Sequence, residues 1–103
     1  MIQNGIKSSN DGTLMTTLGK KLVKVERLVA SDLREPFSLG GKYKEITFAI
    51  VPDDIFLFID KKDDEHKLTI EDKSSIEAQI AAAFIQAPSR VADNAIYEIW
   101  LWN

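Results

Sequence analysis

Residues 44–59, KEITFAIVPDDIFLFI, decide the fold that we expect for this chain. In the first half of the stretch, alternate side chains fall on one face of a predicted strand: Lys44, Ile46, Phe48 and Ile50. Pro52-Asp53-Asp54 then breaks the strand, because proline fixes the backbone and removes an N–H donor. The following run, Ile55 to Ile59, is apolar at every position, which indicates a central strand covered on both faces.

The segment after this stretch adds a third strand. Residues 61–66 form a polar tip, and the apolar residues Leu68 and Ile70 then alternate with polar neighbours. Three consecutive strands with short links predict an antiparallel meander.

The N-terminal third also favours strands. Residues 13–18 and 21–30 flank Gly19-Lys20, and glycine at the first turn position suits a type II′ hairpin. A helix over 21–33 is the alternative, because apolar residues there also follow a helical stripe. We favour the strand, since the segment is rich in β-branched valine.

One helix is expected before the last strand. Ser74 with Glu77 three residues later resembles a capping box. Four apolar residues then follow a helical stripe, Ile76, Ile80, Phe84 and Ala87, and Pro88 ends it.

The last segment, residues 95–102, reads as a strand with two distinct faces. Tyr97, Ile99 and Leu101 share one face, while Trp100 and Trp102 share the other with Glu98. The predicted fold is a single α+β domain over residues 1–103: a mostly antiparallel sheet containing the meander, one main C-terminal helix packed on it, and a final strand at the C-terminus.

Composition places the chain among ordinary globular proteins and narrows its chemistry. Its 103 residues are 45% hydrophobic and carry a net charge of −3, with no cysteine. Disulfides, thiol nucleophiles and cysteine-ligated metals are therefore excluded. No basic segment followed by an apolar stretch opens the sequence, and no apolar run approaches the roughly 20 residues of a membrane span. We expect a cytoplasmic protein.

The sequence offers no specific catalytic or metal-binding motif. The single histidine, His66, follows Asp63, Asp64 and Glu65, and we read it as a solvated turn residue rather than a general base. Nucleophile elbows, phosphate-binding glycine loops and zinc or calcium spacings are all missing. The expectation is a non-enzymatic protein without cofactor or metal. Dispersed carboxylates brought together by folding remain open.

Charge is distributed unevenly along the chain. Residues 1–45 hold eight Lys or Arg and five Asp or Glu, whereas residues 52–77 hold four and nine. An acidic region favours encounter with a basic partner and disfavours contact with a phosphate backbone. Nucleic acid is therefore an unfavoured partner, and another protein, such as a basic toxin or enzyme, is favoured.

Two sets of residues are the candidate contacts for that partner. The acidic set supplies the polar contacts: Asp53, Asp54, Asp63, Asp64 and Glu65. Trp100 or Trp102 supplies an anchor, unless a second layer covers that face and makes both rings part of the core.

The leading functional hypothesis is a protein-binding module. Its most concrete form is a small bacterial inhibitor or immunity-type protein whose acidic face covers a basic partner such as a nuclease toxin. The alternative is a phage-like or homo-oligomeric assembly subunit that uses its terminal strand as a joining edge.

Overall fold

A computed structural model describes residues 16–17 and 19–103. Within these residues the secondary structure consists of strands and two short 3₁₀ turns, Ala30–Leu33 and Asp64–His66. The nine strands are β1 (Thr16–Thr17), β2 (Lys20–Val29), β3 (Phe37–Ser38), β4 (Tyr43–Ile50), β5 (Ile55–Ile59), β6 (Lys67–Ile70), β7 (Ser74–Ile80), β8 (Ala83–Gln86) and β9 (Ile96–Trp102). The described chain is therefore all-β.

The strands form two antiparallel sheets that enclose one core. Sheet I has the order β1-β2-β9-β4-β7, in which β1 is a two-residue extension of four longer strands. Sheet II has the order β3-β8-β5-β6. The core side chains come from both sheets, including Ile46, Phe48, Tyr97 and Ile99 from sheet I and Leu57 and Ile85 from sheet II. The arrangement is a β-sandwich.

The predicted α+β fold is wrong, because residues 74–87 form two strands instead of a helix. β7 lies in sheet I and β8 in sheet II, and Ala81 and Ala82 connect them. A spacing of four residues suits a strand as well as a helix, so Ile76 and Ile80 could not distinguish the two. β8 itself has the two-residue period of a strand: Ala83 and Ile85 are buried, while Phe84 between them points away from the core.

The predicted meander is also wrong. β4 belongs to sheet I, whereas β5 and β6 are neighbours in sheet II. The link at residues 51–54, which contains Pro52, carries the chain from one sheet to the other. The strands themselves are confirmed, and so is the burial of Ile46 and Phe48.

At both ends of β4 the predicted alternation fails. Lys44 and Ile50 are exposed instead of sharing the core face with Ile46, because the pairing of β4 shifts register at each end. Such irregularities rotate the side chains beyond them relative to the regular part of the strand.

The preference for strand over helix at residues 21–30 is confirmed by β2, and the helix over 21–33 is wrong. Thr17 pairs with Lys20, so Lys20 belongs to the strand rather than to the predicted turn. Gly19 has a φ of 79°, which glycine adopts readily. Residues 13–15 and 18 of the predicted hairpin lie outside the described residues.

Candidate functional site

The two faces of β9 have opposite roles, as its sequence pattern predicts. Tyr97, Ile99 and Leu101 are 0% exposed and face the core. The alternate residues face away from sheet II, on the outer surface of sheet I. We call that surface the tryptophan face and define it by the outward side chains Val25, Arg27, Thr47, Ile50, Ile96, Glu98, Trp100 and Trp102.

Glu98 organises the centre of the tryptophan face. Arg27 donates to Glu98 Oε1 from Nε at 3.0 Å and from Nη2 at 2.5 Å, and Trp100 Nε1 donates to Oε2 at 2.8 Å. These hydrogen bonds, with Arg27 the larger influence, lower the pKa of the Glu98 carboxyl, although partial burial opposes the shift. One carboxylate therefore fixes both a guanidinium and an indole.

Trp102 lies on the same face but is closed to solvent. It is 4% exposed, and its Nε1 donates to Thr47 Oγ1 at 2.9 Å. The Lys20 ammonium bonds to Glu77 and lies 3.5 Å from Glu45 Oε1. Because β9 lies between β2 and β4, the Lys20 side chain crosses β9 near Trp102, which pairs with Glu45. The hydrogen bond to Glu77 raises the pKa of Lys20.

Trp100, in contrast, is only half-buried and stands among exposed apolar side chains. Its ring centroid is 6.2 Å from that of Trp102 at an angle of 58°. On the same face, Val25, Ile50 and Ile96 are 46%, 47% and 41% exposed. Val25 pairs directly with Trp100, and Ile50 pairs with Glu98. The open part of the tryptophan face is thus an apolar patch around one ion pair.

Asp53 and Asp54 lie in the link that follows β4 and carries the chain from sheet I to sheet II. Arg90 holds both: its Nη2 is 2.6 Å from Asp54 Oδ2, and its Nε is 3.2 Å from Asp53 Oδ2. Hydrogen bonds to the two carboxylates raise the pKa of Arg90. The backbone oxygen of Asp54 also accepts from the Tyr97 hydroxyl at 3.0 Å, which ties the link to β9.

The other three predicted acidic contacts lie at the opposite end of β5. Asp63 caps the second 3₁₀ turn, and its Oδ1 is 2.5 Å from His66 Nδ1. That bond to His66 lowers the pKa of Asp63. Lys67 lies 3.6 Å from Asp64, and Glu65 is exposed. The structure therefore does not bring the five carboxylates together into one surface.

Two features of the molecule were missed from the sequence. The outer face of sheet II carries three phenylalanines, Phe56, Phe58 and Phe84. Lys67 and Lys62 place their ammonium groups 4.5 Å and 5.0 Å from the rings of Phe56 and Phe84, respectively. The wrong helix assignment had separated Phe84 from the other two residues. The second feature is a cavity lined by residues at the start of β4 and the end of β7.

Across residues 16–17 and 19–103, no group of three or more His, Cys, Asp or Glu side chains is arranged to hold a metal ion. The same part of the chain contains no helix of the length and apolarity needed to cross a membrane. Comparison with protein-family models, with curated proteins and with solved structures finds no match to this chain.

The final strand is interior to its sheet. β9 pairs with β2 on one side and with β4 on the other, so neither of its edges is open to a strand from another chain. An assembly subunit that joins through an edge strand would have to use another strand, such as β7, which pairs with β4 alone among the described strands.

Proposed function

We propose that this protein is a non-enzymatic protein-binding module that contacts its partner through the tryptophan face. The observation that supports it is the half-buried Trp100, which shares the outer face of sheet I with three apolar side chains that are each more than 40% exposed. Tryptophan is enriched among the residues that dominate binding energy, and such residues lie within apolar patches with polar rims.

The Glu98 contacts support the same proposal. Binding is weakened by the free energy spent on ordering interface side chains. Here the Trp100 indole is already held by Glu98, and Glu98 is held by Arg27. A partner would therefore meet an anchor whose orientation is fixed before contact.

The most concrete form of the proposal is a cytoplasmic bacterial inhibitor of the immunity type, acting on a basic enzyme such as a nuclease toxin. Asp53 and Asp54 lie in the link that leaves β4 after Ile50, and their charges would attract a basic surface toward that end of the molecule. A cation of the partner would have to share these carboxylates with Arg90. The second group, Asp63, Asp64 and Glu65, would contact only a partner large enough to reach the far end of sheet II.

The test is affinity purification of the partner from the source organism with Trp100→Ala as the informative variant. Truncation of a central anchor costs about 2 kcal/mol or more, roughly thirtyfold in affinity. We expect the wild-type protein to retain a specific partner and Trp100→Ala to lose most of it, as measured by quantitative mass spectrometry of the bound fraction.

The matched control is Phe84→Ala, which removes a half-buried aromatic ring from the outer face of sheet II. It should retain the partner as well as the wild type does. Both variants are first shown to unfold cooperatively. Equal retention by Trp100→Ala and wild type would contradict the use of the tryptophan face.

The inhibitor form has its own test once the partner is known. Reversing the charge of Asp63, Asp64 and Glu65 should slow association if the acidic region steers a basic partner, and added salt should abolish the difference. A partner without a basic surface, or one whose activity is unchanged by the bound protein, would contradict inhibition while leaving the binding proposal intact.

A further inference from the structure

A cavity of about 280 Å³ lies at one corner of sheet I, which we call the corner pocket. It is lined by residues 42–44 at the start of β4, residues 79–81 at the end of β7, and Asn103. Tyr43 and Ile80 contribute its apolar part and are 8% and 2% exposed. Lys42, Lys44 and Gln79 are exposed and supply its polar groups. The pocket thus combines an apolar wall with two cations.

Both cations of the corner pocket lack a carboxylate partner among the described residues, as do three other lysines, Lys21, Lys61 and Lys62. Lys20 and Lys24 on the same sheet are paired with carboxylates of the chain, and Arg27, Arg34 and Arg90 are paired as well. Lys42 and Lys44 form no ion pair within the part of the chain that the structure describes. The complementary ligand group is therefore an anion.

A strand edge that has no partner among the described strands borders the pocket. β7 pairs with β4 alone among the described strands, and Ser75, Glu77 and Gln79 are exposed along it. An exposed edge offers backbone donors and acceptors to an extended peptide. β2, which has only the two-residue β1 on its outer side among the described strands, is less suited to this, because it carries a bulge near Val23 and the Lys24–Glu26 ion pair on its inward side.

The charge on β7 argues against a second copy of this chain as the occupant. Antiparallel pairing of two β7 strands about their centre would place Glu77 opposite Glu77. Like charges directly opposite each other destabilise a strand pair, and the pairing of each Glu77 with Lys20 of its own chain offsets only part of this repulsion. A peptide that carries a carboxylate farther along, opposite the corner pocket, avoids this repulsion and meets Lys42 and Lys44.

We propose that β7 binds an extended acidic segment of a partner protein, which pairs with the strand edge and places one carboxylate in the corner pocket between Lys42 and Lys44. This site lies at the edge of sheet I and goes beyond the proposed use of the tryptophan face. It also differs in chemistry from the tryptophan face, because the partner group that it binds is acidic rather than basic.

The test is an NMR titration of the isotope-labelled protein with capped synthetic peptides of about eight residues, a length that matches one strand. The first peptide alternates Val and Thr and contains a single Glu. The second has Gln in place of that Glu. The third keeps the Glu but is N-methylated at alternate backbone positions, which removes the donors needed for strand pairing.

We expect the Glu peptide to shift the amide resonances of residues 42–44 and 74–80 in a saturable manner. The Gln peptide should bind about tenfold more weakly, because a hydrogen bond to a charged group is lost. The double variant Lys42→Gln/Lys44→Gln should bring the affinity for the Glu peptide down to that for the Gln peptide. The N-methylated peptide should produce no saturable shift, and Phe84→Ala should bind like the wild type.

Absence of shifts at residues 74–80 with millimolar Glu peptide would overturn the proposal. Equal affinity for the Glu and Gln peptides would overturn the carboxylate site. Shifts that depend on protein concentration without peptide would identify a second copy as the occupant instead. Because the probe is synthetic, failure here is distinguishable from failure of the tryptophan face to bind a natural partner.

Discussion

At the scale of single residues, Glu98 shows how a nearly buried carboxylate is kept charged on the outside of a sandwich. It is 8% exposed, yet three hydrogen bonds from Arg27 and Trp100 satisfy its oxygens. A buried charge without such partners would be costly. The residue that orders the tryptophan face is therefore also one that couples stability to pH.

The expected pH dependence follows from the lowered pKa of Glu98. A carboxyl whose pKa is lower in the folded state stabilises the protein above its ordinary value of 4.5, and this contribution is lost as the pH falls through the folded-state pKa. Glu98→Gln should lower the free energy of unfolding by about 1 kcal/mol at pH 7. The difference in this free energy between the variant and the wild type should narrow below pH 4.5. Urea unfolding of both proteins at several pH values between neutral and acidic measures this difference.

Glu71→Gln serves as the control for this series, because Glu71 is exposed and forms no ion pair among the described residues. Its free energy of unfolding should follow that of the wild type at every pH. If the gap between Glu98→Gln and wild type stayed constant as the pH fell, the pH-dependent role of Glu98 would be refuted.

Two adjacent glycines provide a second test at this scale. Gly40 and Gly41 have φ values of 72° and 58°, where any other residue is strained. A Cβ on Gly41 would lie 3.1 Å from the Tyr43 hydroxyl oxygen, whereas nothing lies within 4 Å of one on Gly40. The Tyr43 hydroxyl in turn donates to the Leu39 carbonyl at 2.8 Å, so it cannot move without loss.

We therefore expect Gly40→Ala to lower the free energy of unfolding by about 1 kcal/mol, from backbone strain alone. Gly41→Ala should cost about 1–2 kcal/mol more, because it also displaces Tyr43. Chemical denaturation of the two variants gives the difference directly. An equal decrease in the free energy of unfolding for the two variants would show that Tyr43 does not constrain the backbone at Gly41.

At the scale of elements, the sequence was informative about strands and misleading about their arrangement. The strands over residues 44–50, 55–59 and 95–102 were identified because alternation or a short apolar run is a local signal. The segment 74–87 failed because its apolar residues lie four apart, a spacing that both helix and strand allow. Only pairing with β4 and β5, far away in sequence, decides between the two.

The candidate site was predictable to a similar extent. The alternation of β9 correctly placed Trp100 and Trp102 opposite Tyr97. It could not show that Trp102 is closed by Thr47 and Lys20 while Trp100 stays open. The separation of the acidic residues follows from the strand predicted over residues 55–59, because residues 53–54 precede it and residues 63–65 follow it, a consequence that was missed from the sequence.

Hydrogen exchange should reveal the different positions of β9 and β7. β9 has a neighbour on each side, so its backbone amides should exchange slowest and approach the free energy of global unfolding. β7 has one neighbour among the described strands, so every second amide along residues 74–77 should exchange faster. NMR-detected exchange in the absence of peptide measures both.

Uniformly slow exchange along β7 would indicate that its outer edge is already covered. Peptide binding should then slow the fast amides of β7 and leave those of β9 unchanged. The outer edge of β7 is therefore accessible to direct measurement before any partner is known.

At the scale of the whole molecule, the fold depends on pairing between distant parts of the chain. Arg27 and Glu98 are 71 positions apart, yet they are direct neighbours in sheet I. Pairing of this kind closes long loops and folds slowly compared with local contacts. Formation of sheet I is therefore expected to be slow, and both the tryptophan face and the β7 edge depend on it.

The central position of β9 has a consequence for how the protein is made. At a synthesis rate of roughly 5–20 residues per second, β2 is synthesised about 4–14 seconds before its neighbour β9. During that interval the apolar side chains of β2 and β4, and the gap between the two strands, are open to any other nascent chain. Misassembly of β2 and β4 with other nascent chains is therefore expected to compete with folding until β9, the strand that separates them, has been synthesised.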